Sequence, residues 1–189
     1  MKAPFFLTTF IFLFLSLSVF SQNKKEVKKF KIKSSTAIVT ESVDGKEKIH
    51  TDSYQKFDNS GNVTEEMEYN KDGSFKKKEA HKYNKNNDVT EEIIYDEKGI
   101  VKKKTTIEYN SNKDKTIENV YDGSGKLIEK TQYGYNTKGE KTYEITLDDK
   151  GKIIKKSIYA YDKNGLKTEK KTTDANGEVI STKKYTYEF

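Results

Sequence analysis

The chain of 189 residues contains no cysteine and no tryptophan, one proline and two histidines, and all 36 of its basic side chains are lysines. These absences close several kinds of chemistry. Without cysteine there is no disulfide to brace an exported domain, no thiolate zinc site and no cysteine-linked lipid. For His50 and His81, no spacing supplies the two or three clustered ligands that a metal site needs. No Gly-x-Ser-x-Gly elbow or credible Ser/His/Asp set stands in for the missing thiol. Nucleophilic catalysis therefore has no candidate, and the chain reads as a non-enzyme without metal or cofactor.

Long apolar runs are nearly absent too. Residues 5–19 form one, preceded by Met1 and Lys2 and followed by Val19-Phe20-Ser21 before Gln22, the layout of a secretory signal peptide. At about 16 residues it falls short of the roughly 20 that span a bilayer, so cleavage after Ser21 is expected, with no stable transmembrane segment left. Removal takes Pro4 and Lys2, lowering the formal charge from +6 to +5. The expected divisions are a signal peptide over 1–21, lead-in strands and a hairpin over 22–56, and a repeat domain over 57–189. An exported protein in the periplasm, at the cell surface or in the medium follows.

Only 32% of residues are hydrophobic and 35% are charged, which by composition alone would permit disorder. Periodicity rules that out. The string aromatic–Asx–x–x–Gly begins at Phe57, Tyr69, Tyr83, Tyr95, Tyr109, Tyr121 and Tyr135, with Leu147, Tyr161 and Thr173 completing the series. Starts alternate by 12 and 14 residues, a period of 26 without insertion. Position two is always Asp or Asn, and position five is Gly except at Asn87 and Lys113. Asx with Gly three residues later is a type I turn signature, closing a hairpin with a Gly bulge. Lys113, a poor left-handed residue, predicts the least regular turn. Asp44-Gly45 is a further, shorter hairpin signal.

One register follows if Asn70 pairs with Ser74. Tyr69 then faces Phe75, Glu66 faces Lys78 and Thr64 faces Ala80. Moving by the period pairs Tyr95 with Val101, Tyr121 with Leu127 and Leu147 with Ile153. It also pairs Glu92 with Lys104, Glu118 with Lys130 and Glu144 with Lys156, each of the order of 0.2–1 kcal/mol. By the same parity one face carries Tyr69, Tyr83, Tyr95, Tyr109, Tyr121, Tyr135 and Tyr161. The other carries Thr64, Thr90, Thr116, Thr142 and Thr168 beside Glu and Lys. Glu65, Glu91, Lys77, Lys103 and Lys155 interrupt the apolar face, which argues against a two-sheet sandwich. The expected fold is all-β: tandem 26-residue double hairpins in an antiparallel meander of about twelve strands, as a single-layer or coiled sheet.

Tyr159-Ala160-Tyr161-Asp162-Lys163-Asn164-Gly165 and Tyr133-Gly134-Tyr135-Asn136-Thr137-Lys138-Gly139 resemble the Tyr-x-Tyr-Asp-x-x-Gly core of the YD repeats of Rhs and teneurin-like proteins. The resemblance covers 57–189 and implies an exported β-strand shell or coil. It departs in lacking the family's Arg after the Gly and in being too short for a large enclosing shell. No toxin or self-cleavage activity is carried over.

Other suggestive residues have plainer places in the repeat. His81 occupies the position of Ile107, Tyr133, Tyr159 and Tyr185, and so reads as a packing substitute. Glu65-Glu66 and Glu91-Glu92 point to opposite faces of a strand, so neither is an acid/base pair. Asn110-Ser111-Asn112-Lys113-Asp114 lacks the Gly and Glu of a calcium loop. Lysines balanced by alternating carboxylates do not make a nucleic-acid footprint. The remaining binding candidate is the column Tyr83, Tyr109, Tyr135, Tyr161 and Tyr187, about 9.6 Å apart if it recurs on every second strand. These rings read as sheet packing with wet hydroxyls, or as a stacking platform for a glycan. The function expected is a non-catalytic structural or protein-interaction module at the cell envelope or outside it, with an unknown protein or glycan as partner. One alternative is a polysaccharide-binding module. A second is a small outer-membrane barrel, suggested by the alternating Tyr185, Tyr187 and Phe189 but opposed by lysines and glutamates on both faces.

Overall fold

The structure is a computed structural model that describes residues 24–43 and 46–188. The expected signal peptide, the Asp44-Gly45 turn and Phe189 lie outside the described residues. A short helix α1 (Lys24–Phe30) precedes β1 (Ser34–Val43), β2 (Lys46–Phe57), β3 (Val63–Tyr69), β4 (Phe75–Tyr83), β5 (Val89–Tyr95) and β6 (Val101–Tyr109). The second half contains β7 (Lys115–Asp122), β8 (Leu127–Tyr135), β9 (Lys141–Asp148), β10 (Ile153–Tyr161), β11 (Lys167–Asp174) and β12 (Val179–Lys184). All twelve strands form one antiparallel sheet in sequence order, as the repeat predicts. Among the described residues, all extensive strand contacts are between sequence neighbours, which makes the sheet a single layer. The sheet is open, with β1 and β12 at opposite edges, and does not close into the barrel considered as an alternative.

The ten turns have the predicted chemistry. In the first, the Asp58 N–H donates to Asn62 O at 2.9 Å, the Gly61 N–H donates to Asp58 O at 3.0 Å, and the Asp58 carboxylate accepts from the Ser60 and Asn62 N–H groups. Lys113 does not loosen its turn. It adopts φ 68° with an N–H···O distance of 3.1 Å to Asn110, as regular as the glycine turns, because both flanking strands fix the loop. The misfit there is backbone strain rather than irregular geometry.

The expected register holds only beside the turns. Tyr69 pairs with Phe75, Tyr95 with Val101, Tyr121 with Leu127 and Leu147 with Ile153. One residue further in, each strand carries a bulge that shifts the pairing by one. Glu66 therefore opposes Glu79, Glu92 opposes Thr105, Glu118 opposes Thr131 and Glu144 opposes Ser157. None of the four expected Glu–Lys pairs forms as such, and Ala80 opposes Glu65 instead of Thr64.

The bulges also correct the two faces. Thr64, Thr90, Thr116, Thr142 and Thr168 are not a column on one face. They are the extra residues at alternate hairpins, with Lys76, Lys102, Ile128, Ile154 and Ile180 at the others. Since an extra residue inverts the alternation of side chains, the turn tyrosines separate. Tyr69, Tyr95 and Tyr121 lie on one face. Tyr83, Tyr109, Tyr135 and Tyr161 lie on the other.

Burial is one-sided. Ser53, Gln55, Phe57, Thr105, Ile107, Val120, Thr131, Thr146 and Ser157 are buried, and all belong to the face of Tyr83 and its repeats. Most of these are small hydroxyl residues in the middle of strands that carry tyrosines and lysines to either side on the same face. Thr131 and Thr146 share a hydroxyl hydrogen bond at 3.3 Å, and Ser157 and Thr172 another at 2.9 Å. This is the buried face; the opposite one is the open face.

The sequence reading did not anticipate α1. Its one buried side chain, Val27, is 1% exposed, and its backbone rests on the β2–β3 turn. A Cβ on Gly61 would come within 2.6 Å of Lys24 O, so glycine is required there for close approach as well as for its φ of 80°.

Candidate functional site

The five candidate tyrosines form a column on the buried face, and their hydroxyls are not left to solvent. Tyr83 donates to Val63 O at 2.7 Å, Tyr109 to Val89 O at 2.7 Å, Tyr135 to Lys115 O at 2.9 Å, Tyr161 to Lys141 O at 2.9 Å and Tyr187 to Lys167 O at 2.7 Å. Each acceptor belongs to the residue just before a threonine bulge, where the backbone pairing is interrupted. The tyrosine therefore satisfies a carbonyl that the bulge takes out of register. Burial raises the phenol pKa of Tyr83, Tyr109, Tyr135 and Tyr161 above the ordinary value. These hydroxyls serve as latches, and what the column presents outward is ring surface.

A second column runs beside it, at the positions that the period groups with His81. His81, Ile107, Tyr133, Tyr159 and Tyr185 sit one alternation inward on the same face, so His81 is where a packing substitute would be. In the last three repeats, lysines stand over these rings. Lys141 lies 5.1 Å from the Tyr133 centroid and 4.8 Å from that of Tyr159. Lys167 lies 5.1 Å from Tyr159 and 5.7 Å from Tyr185. Lys115 lies 5.8 Å from Tyr133.

Carboxylates complete this Lys–Tyr stack. Glu144 takes a hydrogen bond from Tyr159 at 2.8 Å and one from Lys141 at 3.1 Å, and Glu118 pairs with Lys115 at 2.7 Å. Burial pushes the Glu144 carboxyl up, but the Tyr159 and Lys141 hydrogen bonds outweigh it and hold the group below the usual value. Burial, reinforced by these glutamates, pushes the Tyr133 and Tyr159 phenols far up. The arrangement keeps Tyr133 and Tyr159 protonated and Glu144 charged. It offers no free base beside a nucleophile.

The components of this stack recur at the same period of 26, so a periodicity search could have found them. The place of Glu118 and Glu144 on that face could not be found, because the bulge decides it. His50 is placed elsewhere, in an open groove of about 560 Å³ with Lys48, Lys71 and Asp72 where β2 extends beyond β3. Among the described residues no cluster of three potential metal ligands occurs, and no helix is long and apolar enough to cross a membrane.

No protein-family model matches the chain, and no curated protein matches it by sequence. Among solved structures it is similar to a porin-like protein from Bacteroides uniformis, at 14% identity and a TM-score of 0.40, covering 71% of this chain and 54% of that one. It is also similar to the Tc holotoxin pore of Photorhabdus luminescens, at 13% identity and a TM-score of 0.33, covering 77% of this chain and 9% of that one. The chain thus spans about half or less of the length of these two structures.

Proposed function

We propose that this chain is an exported, non-catalytic β-repeat protein that serves as a structural or protein-interaction module at the cell envelope or outside the cell. The observation that carries this reading is how the repeat uses its polar groups. Asx side chains hold the turns, tyrosine hydroxyls hold the bulges, and glutamates hold the lysines over the rings. Such a protein is a support with two broad faces. Membership of the YD-repeat family belongs to the same proposal, on the resemblance of the Tyr-x-Tyr-Asx-x-x-Gly strings. The test is recovery of the protein after expression in a bacterial host with an intact export pathway. A processed chain beginning at Gln22 outside the inner membrane supports the reading, and a cytoplasmic chain with an intact N-terminus overturns it.

The polysaccharide reading keeps one observation in its favour, the row of rings on one face. Glycan binding that is lost in Tyr135→Leu but retained in Tyr69→Leu, on the opposite face, would establish it. Equal binding by both variants would end it.

A further inference from the structure

The open face changes character along the sheet. Over β3–β6 its lysines and glutamates neutralise each other: Glu65 lies 3.1 Å from Lys56 and 3.2 Å from Lys78, and Glu91 lies 2.7 Å from Lys82 and 3.0 Å from Lys104. One and two periods after Glu91 the same position is Ile117 and then Tyr143. The lysine column continues as Lys130 and Lys156, joined by Lys171. From β7 to β12 the only carboxylate that the register places on this face is Glu169, directly opposite Lys184.

Tyr143 takes a glutamate's place, its cross-strand partner Ile158 stands where Ala80 and Thr106 stood, and Ile153 and Val179 continue the turn-side column of Phe75 and Val101. Ile158 is 49% exposed, Val179 52% and Ile153 41%, and Tyr143 stands beside them. Tyr143 is fixed by its cross-strand partner Gly134, where any Cβ would fall inside the ring. The bulge residues Ile154 and Ile180 add exposed aliphatic surface at the rim. Exposed apolar side chains interspersed with lysines on one face of a single-layer sheet mark a docking surface.

We infer that the open face of β8–β12 docks onto an anionic phospholipid surface. Lysines without carboxylate partners complement the headgroup phosphates, while the isoleucines and Tyr143 enter the headgroup–acyl boundary, as in other interfacial amphipathic surfaces. A second copy of the chain fits less well, because an isologous contact would bring the same lysines face to face. A dissolved polyanion would match the lysines and leave the aliphatic side chains in water. The inference goes beyond the envelope reading and is separable from it: vesicle binding can fail while export stands, and can hold if export fails.

The test is co-sedimentation of the full chain with vesicles of phosphatidylglycerol or of phosphatidylcholine. Wild type and variants carry the same N-terminal segment, so differences between them isolate the face. Wild type is expected to bind phosphatidylglycerol vesicles more tightly, less so as salt rises. The triple variant Lys130→Gln, Lys156→Gln, Lys171→Gln should bind them on the order of a hundredfold more weakly, at about fivefold per lysine. Ile153→Ser with Ile158→Ser should also weaken binding. Lys78→Gln with Lys104→Gln, on the neutralised half, should leave it unchanged. Circular dichroism checks that these exposed substitutions leave the sheet folded. Patch variants that bind like wild type, or a wild type indifferent to phosphatidylglycerol, overturn the inference. So does a soluble anionic polymer bound equally well with the isoleucines removed, or a dimer abolished by Ile158→Asp.

Discussion

Strands β3–β6 and β8–β12 share one period, one turn and one tyrosine latch, yet they finish their faces in opposite ways. In the first half the buried face carries Val63, Val89, His81 and Ile107, and the open face carries compensated Lys–Glu clusters. In the second half Lys115, Lys141 and Lys167 replace those valines and join the Tyr–Glu stack on the buried face, while the open face loses its Glu65 and Glu91 positions to Ile117 and Tyr143. The difference teaches that the 26-residue frame holds the sheet by turn, bulge and latch. Side chains between those fixed points are then free to specialise.

The sharpest way to break this comparison is to cut the latch in each half. Tyr83→Ala and Tyr161→Ala should each cost about 2–4 kcal/mol in urea unfolding, since each loses a half-buried ring and leaves a carbonyl unpaired. Equal losses would sustain a common frame, and a loss in one half alone would refute it. The next largest effect concerns the stack. Tyr159→Phe should cost about 1–2 kcal/mol through the Glu144 hydrogen bond. His81→Tyr, with Val63 and Val89 at the places of the two lysines, should change stability by no more than about 0.5 kcal/mol.

Alkaline pH probes the same contrast. Folded Tyr133 and Tyr159 have raised pKa values, so their contribution is complete below the ordinary phenol pKa of about 10 and is lost as pH rises through the raised values. Phenolate absorbance should show these two titrating last and together with unfolding. In Tyr133→Phe/Tyr159→Phe, the loss of stability across the alkaline range should be shallower. Smaller still, Lys113→Gly should raise stability by about 0.5–1 kcal/mol by relieving the left-handed backbone. Smallest of all, Glu91→Gln should cost less than about 1 kcal/mol, since Lys82 and Lys104 are largely in solvent, and Lys156→Gln should cost nothing measurable.

The turns were legible because their chemistry is local. An Asx oxygen two residues from the N–H it accepts, and a residue with positive φ, leave their mark at fixed offsets whatever the neighbours do. The strand count and the open meander were legible from the turns. The faces were not, because a bulge is a one-residue event in the pairing between strands and Thr64 or Lys76 carries no local sign of it. Counting parity through those residues placed Tyr69 and Tyr83 together and set Glu92 opposite Lys104. Helix α1 was missed for a related reason: a seven-residue helix has little stability of its own, and here it rests on the turn at Gly61. The tyrosine column was found by period alone. Its hydroxyls were misread as wet, since their acceptors lie 20 residues earlier and are freed only by the bulges.

By itself, then, the sequence determined the period, the ten turns and the pairing beside each of them, because Asx, Gly and apolar residues act within a few residues of one another. The tertiary structure decided which residues share a face, which hydroxyls hold the backbone and where uncompensated lysines gather. Those follow from hydrogen bonding across strands, where one extra residue inverts every side chain beyond it.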